Sequence, residues 1–185
     1  MDQIAELERK IRDYYNDRQL RDLVPPATQA KHSQVAAALD TLRASTFALT
    51  YFCHRGIPDS HRTSPVRIGA KYLHLYGVLQ AAYMQQDAIG DLWRLLVGRK
   101  APIDSVAGWN ALRQWRDTIS HPQRSGPLIS EMSIGKEGFE VWLHESPRKP
   151  PRREAVNLLK LLRDHEKDAA TLLRRLELSL RSKWK

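Results

Sequence analysis

Apolar residues recur every three or four positions along several long stretches of this chain, a period that one face of a helix satisfies and a strand does not. Ile4, Leu7, Ile11 and Tyr14 mark the first stretch, which ends at Pro25 and Pro26. Val35, Leu39, Leu42, Leu49 and Phe52 mark a second, predicting a helix from about His32 to His54. A loop begins at Gly56 and reaches Pro65. A third helix is predicted from about Arg67 to Val97, with Leu73, Tyr76, Leu79, Leu92 and Leu96 at core positions and Gly98 and Pro102 closing it. Gly77, Ala81, Met84 and Ala88 share one face of it, where small side chains let another helix approach closely, within the fold or across a dimer seam.

Asp104 or Ser105 can cap a fourth helix. It carries Val106, Trp109, Leu112, Trp115 and Ile119 inward and stops at His121, because Pro122 disfavours helical backbone in the residue before it. The period then changes. Leu128 to Ile134 and Phe139 to His144 are β-prone and flank Gly135-Lys136-Glu137-Gly138, which predicts a hairpin. Phe139, Val141 and Leu143 alternate with Glu140, Trp142 and His144, so one face can lie on the helices. A stiff basic linker follows from Ser146 to Pro151. Helical spacing returns from about Arg152 to residue 182, with Val156, Leu159, Leu162, Leu172, Leu173, Leu176 and Leu180 inward. The expected fold is a single all-α domain over residues 1–185. It is a bundle of about five helices with a small β-hairpin insertion (about 128–144) before the last helix.

A chain of 185 residues can bury one sizeable core, and its net charge of +9 suits a polyanion, nucleic acid before an anionic membrane surface. Arg148 to Lys185 holds 12 Lys or Arg against 5 Asp or Glu, so most of the surplus lies on the linker and last helix. A solvated helix face and a nucleic-acid track both fit such a run. An in-plane membrane helix fits less well, because Asp164, Glu166 and Asp168 would meet anionic lipid. No apolar run is long enough to span a bilayer. Cys53 is the only cysteine and the polar start Met1-Asp2-Gln3 does not read as a signal peptide, so a reducing, cytoplasmic setting is expected, with Cys53 buried and inert.

The richest chemistry sits in Arg116-Asp117-Thr118-Ile119-Ser120-His121. Asp117 and His121 are four apart, neighbours on a helix surface. The Asp117 carboxylate can accept a hydrogen bond from His121, fixing its tautomer and favouring the protonated ring. Cleaving an RNA phosphodiester needs a base for the 2′-hydroxyl, an acid for the leaving 5′-oxygen and a cation for the phosphorane. Histidine suits the first two tasks and the planar arginine fork the third. One helix offers one histidine, and two copies across a two-fold axis would supply two. The same Asp117–His121 pair is also an ordinary stabilising pair for a last helical turn, and both readings stand on local physics.

These six residues resemble the Arg-x(4–6)-His motif of HEPN domains, including the polar residue that often follows the arginine. The helical chain from Ile4 to Arg181 is similar to that family's all-α bundle, with the motif near the end of a later helix. Arg55 with His61 and Arg67 with His74 also satisfy the loose spacing. The first pair spans Pro58, and the second has Ile68 after its arginine and lies early in a long helix. The resemblance implies a homodimeric endoribonuclease of a toxin–antitoxin or defence system, needing no cofactor and no metal. It implies Arg116 for the phosphate, His121 for proton transfer and Asp117 to orient it, with an antitoxin or nucleotidyltransferase as a further partner. A relative that has lost activity would serve as a nucleic-acid- or protein-binding module.

Arg113 and Arg124 flank the motif and are candidates for the RNA backbone. Asp87 and Asp91, four apart, are a weak candidate for a cation, and Gln86 and Asp87 can line a groove near the motif. No glycine-rich phosphate loop and no Gly-x-Ser-x-Gly turn is present.

Overall fold

The computed structural model describes residues 1–20, 29–58, 64–120, 127–143 and 149–183. It is mostly helical, with five α-helices and a small three-stranded antiparallel sheet. The helices are α1 (Asp2–Leu20), α2 (Gln29–Arg55), α3 (Pro65–Leu92), α4 (Ala107–Ser120) and α5 (Leu158–Lys183). The strands are β1 (Leu128–Ile129), β2 (Gly138–Leu143) and β3 (Arg152–Asn157), in the order β1-β2-β3. Among the described residues, no helix is long and apolar enough to cross a membrane.

Sequence periodicity places most of the helices within a few residues; the start of the last helix and both ends of α3 differ. The predicted C-terminal turn of α3 is π-helical from Trp93 to Val97, and Gly98 closes it in the left-handed region with φ 84°. Near the other end, Leu73 and Tyr76 are expected in the core but are 74% and 41% exposed. The core stripe runs instead through Leu75, Val78, Leu79, Ala82, Gln85, Gln86 and Ile89. In a helix rich in Leu and Tyr, more than one apolar stripe is available, and only the neighbours choose between them.

The expected two-stranded hairpin is a three-stranded sheet. Leu128–Ile134 forms only a two-residue strand, because Glu131–Ser133 turns into a 3₁₀ helix. That turn is tied to β2 by the Glu140 N–H, which donates to Ser133 Oγ at 2.7 Å. Arg152–Asn157, expected as helix, is β3 and pairs along β2 from Gly138↔Asn157 to Leu143↔Arg152. Pro150 and Pro151 hold the approach extended, and Val156 is buried opposite Phe139. α5 starts where Asn157 Oδ1 accepts the Lys160 N–H at 2.8 Å, an N-cap bond. Phe139 and Val141 are buried against the helices as the alternation predicts. His144 and part of the predicted linker lie outside the described residues.

The interior has two apolar clusters. One joins α1, the first half of α2, the end of α3 and the second half of α5. The other joins the end of α2, the first half of α3, the sheet and the start of α5. α4 belongs to both, through Trp109 in the first and Leu112 and Ile119 in the second. Between the clusters lies a buried polar layer of Ser45, Thr46, Gln85, Gln86 and His165. His165 Nε2–H donates to Gln85 Oε1 at 2.8 Å, Gln85 Nε2 donates to Thr46 Oγ1 at 2.8 Å, and Thr46 donates to the Leu42 carbonyl at 2.6 Å. Cys53, expected to be buried, stands on an exposed position of α2. Its thiol is still partly desolvated, which raises its pKa against the pull of the N-terminal amine and Arg163.

Candidate functional site: two arginines on one tyrosine

α4 is seated by α5 at its first turn. The Trp109 N–H donates to Asp168 Oδ2 at 3.1 Å, so a carboxylate from another helix caps it. Ser105, a predicted cap, instead donates its hydroxyl to the Pro102 carbonyl and accepts from Arg175. The Asp104 side chain lies outside what the structure describes. Gly108 lets the two helices touch: a Cβ there would fall 2.9 Å from the Asp164 backbone. α4 runs antiparallel to α3, from Gln86 beside Trp109 to Tyr83 beside Arg116.

This packing decides where the motif points. Arg116 follows Leu112 by four residues and Trp109 by seven, so it shares their inward side rather than the solvent side. Its side chain is only 19% exposed. The guanidinium lies over the Tyr83 ring, 4.1 Å from its centroid, and Nη1 donates to Asp117 Oδ1 at 2.8 Å. Arg113 reaches the same ring at 4.8 Å and donates Nη2 to the Tyr83 hydroxyl at 3.2 Å. Its Nη2 also lies 3.5 Å from Asp87 Oδ1. Two cations therefore converge on one aromatic ring, each with a carboxylate beside it, an arrangement that fixes both forks in place.

Of the predicted site residues, the structure brings Arg113, Arg116 and Asp117 together. His121 and Arg124 lie outside the described residues. The described partner of Asp117 is Arg116. Gln86 and Asp87 do border the site: buried Gln86 donates to the Trp109 carbonyl at 2.9 Å, and Asp87 faces Arg113. Asp87 and Asp91 do not converge on a cation, since Asp91 pairs with Arg94 at 2.7 Å. Among the described residues, no group of three or more His, Cys, Asp or Glu is placed to hold a metal ion. Of the alternative motif pairs, His61 is outside the described residues, and Arg67 and His74 sit two turns apart early in α3.

Sequence reasoning missed Tyr83, the residue on which the site is built. Its one signal was position, seven residues after Tyr76 on α3. On its α2 side Tyr83 also borders an open groove of about 690 Å³ between α2 and α3, lined by Thr41, Gln80, Met84 and Asp91 among others. His165 was missed too, although it continues the core spacing from Leu162 to Ala169.

Compared with models of known protein families, with curated proteins and with solved structures, the chain matches none.

Proposed function

We propose that the chain is a HEPN-like endoribonuclease of a toxin or defence system, cleaving RNA without a metal to 2′,3′-cyclic phosphate ends at a composite homodimer site. The observation that supports it is the convergence of Arg113 and Arg116 on Tyr83 at the end of α4, the helix that leads into His121. An arginine held by its stem and ring-stacked pays little ordering entropy when it takes a phosphate. Arg116 is assigned to the phosphorane charge, His121 to proton transfer, Asp117 to orienting His121, and Arg113, with Arg124, to the RNA backbone.

Incubation with labelled RNA in EDTA tests this. Wild type should cleave, and Arg116→Ala and His121→Ala should each lose at least about a hundredfold. Full activity in His121→Ala would overturn the assignment.

A second reading is a catalytically silent module that binds nucleic acid or a partner protein. It is favoured by the Arg116–Asp117 hydrogen bond, which engages one oxygen of the carboxylate expected to orient His121. It predicts salt-dependent binding to RNA without cleavage.

A further inference from the structure

The face of α3 that continues from Tyr83 toward β1 is aromatic and exposed, and the chemistry above does not use it. Tyr76 precedes Tyr83 by seven residues, two turns, so both project from the same side of the helix. A rise of about 1.5 Å per residue puts them about 10 Å apart along it. Tyr72, one turn further, stacks on Tyr76 with centroids 5.9 Å apart and planes 25° from parallel. Tyr72 is anchored from the other side, its hydroxyl donating to the Ile129 carbonyl of β1 at 3.4 Å. Tyr76 is the exposed member of the pair, and Leu73 beside it is more exposed still. No charged side chain occurs between Tyr76 and Tyr83, and a Cβ at Gly77 would meet nothing within 4 Å.

We propose that the Tyr72–Tyr76 pair is a base-stacking platform for single-stranded RNA whose backbone is held at Arg113 and Arg116. This deepens the nuclease reading and rests on it. The charge layout favours this occupant. Arg113 and Arg116 stand at one end of the face, each beside a carboxylate, α3 carries no charged residue between Tyr83 and Tyr76, and Glu131 lies near Tyr72 at the far end. A phosphate is better placed at the two arginines than beside Glu131 at the β1 end, while a base has a ring to cover at Tyr76. A duplex offers no splayed base to stack, so the platform selects single strands.

The test uses the full chain carrying His121→Ala, so that turnover cannot intervene, with a single-stranded 12-nucleotide RNA bearing one 2-aminopurine and the same RNA annealed to its complement. Tyr76→Ala should weaken single-strand binding about tenfold or more, and Tyr76→Phe should restore it. The 2-aminopurine should be quenched on binding by the parent and by Tyr76→Phe, and not by Tyr76→Ala. Unchanged affinity in a Tyr76→Ala protein that melts like the parent would overturn the platform. So would equal affinity for the duplex, or no RNA binding. Self-association that Tyr76→Ala abolishes, without RNA binding, would assign the face to a second copy instead. Cleavage is scored separately, with His121 intact. Stacking without cleavage counts against the nuclease alone, and cleavage with Tyr76→Ala binding unchanged counts against the platform alone.

Discussion

At position 165 an imidazole has no exposed surface, and burial lowers its pKa from 6.5 to about 4. Nε2–H serves Gln85, while Nδ1 has no hydrogen-bond partner among the described residues. A second proton would have to sit on Nδ1, uncompensated. The unfolded chain takes that proton near pH 6.5 and the folded chain only near pH 4. The stability is thus fully present above pH 6.5 and is lost as pH falls toward 4, by on the order of 3 kcal/mol. Urea titrations from pH 7.5 to 4.5 should show this loss in wild type and a shallower one in His165→Leu. An identical pH slope in the two proteins would refute the assignment. Gly108 makes a second prediction at this scale. Gly108→Ala forces α4 away from Asp164 and should cost about 1–3 kcal/mol, read as a lower denaturation midpoint.

Among the elements, α4 is held in place by two others, α5 and α3. Its first turn is capped by Asp168 of α5, and its later turns lie against Tyr83 of α3. Asp168→Ala should destabilise the fold by about 1 kcal/mol, lowering the melting temperature by about 2–4 °C, and Asp168→Asn should lose less because it keeps an acceptor. A thermal melt compares the three. β3 is the element that periodicity misread. Val156 falls at a spacing from Leu159 that a helix also satisfies, so pattern alone cannot separate strand from helix there. The local signals were Pro150 and Pro151 before the strand and Asn157 as the cap after it. Both were legible, and they carry more information than the single apolar residue between them.

For the whole molecule, the polar layer between two apolar clusters is the organising feature. It crosses α2, α3 and α5 at the level of Trp109 of α4, so a shift of register in any of these helices would leave a buried amide or imidazole unpaired. Gln85→Leu should therefore cost more than its exposed neighbours do, about 1–3 kcal/mol in chemical denaturation. The charge of +9 acts at the same scale. If Arg113 and Arg116 each contact a phosphate of single-stranded RNA, the double alanine variant should flatten the dependence of log affinity on log salt by about 1.4. A slope equal to wild type would remove both from the interface.

Sequence alone determined the helices and their approximate ends, because apolar period, proline and glycine act over a few residues and need no partner. It also singled out Arg116, Asp117 and His121 by chemistry and spacing, expecting Asp117 to pair with His121, whereas the described partner of Asp117 is Arg116. Tertiary packing decided which stripe of α3 faces inward, that Arg152–Asn157 is a strand, and that Arg116 turns onto Tyr83. Each of these depends on an element distant in the chain: the neighbours of α3, the β2 edge and the α3–α4 crossing. The free energy that selects them is burial and hydrogen bonding between segments, which no local window of the sequence contains.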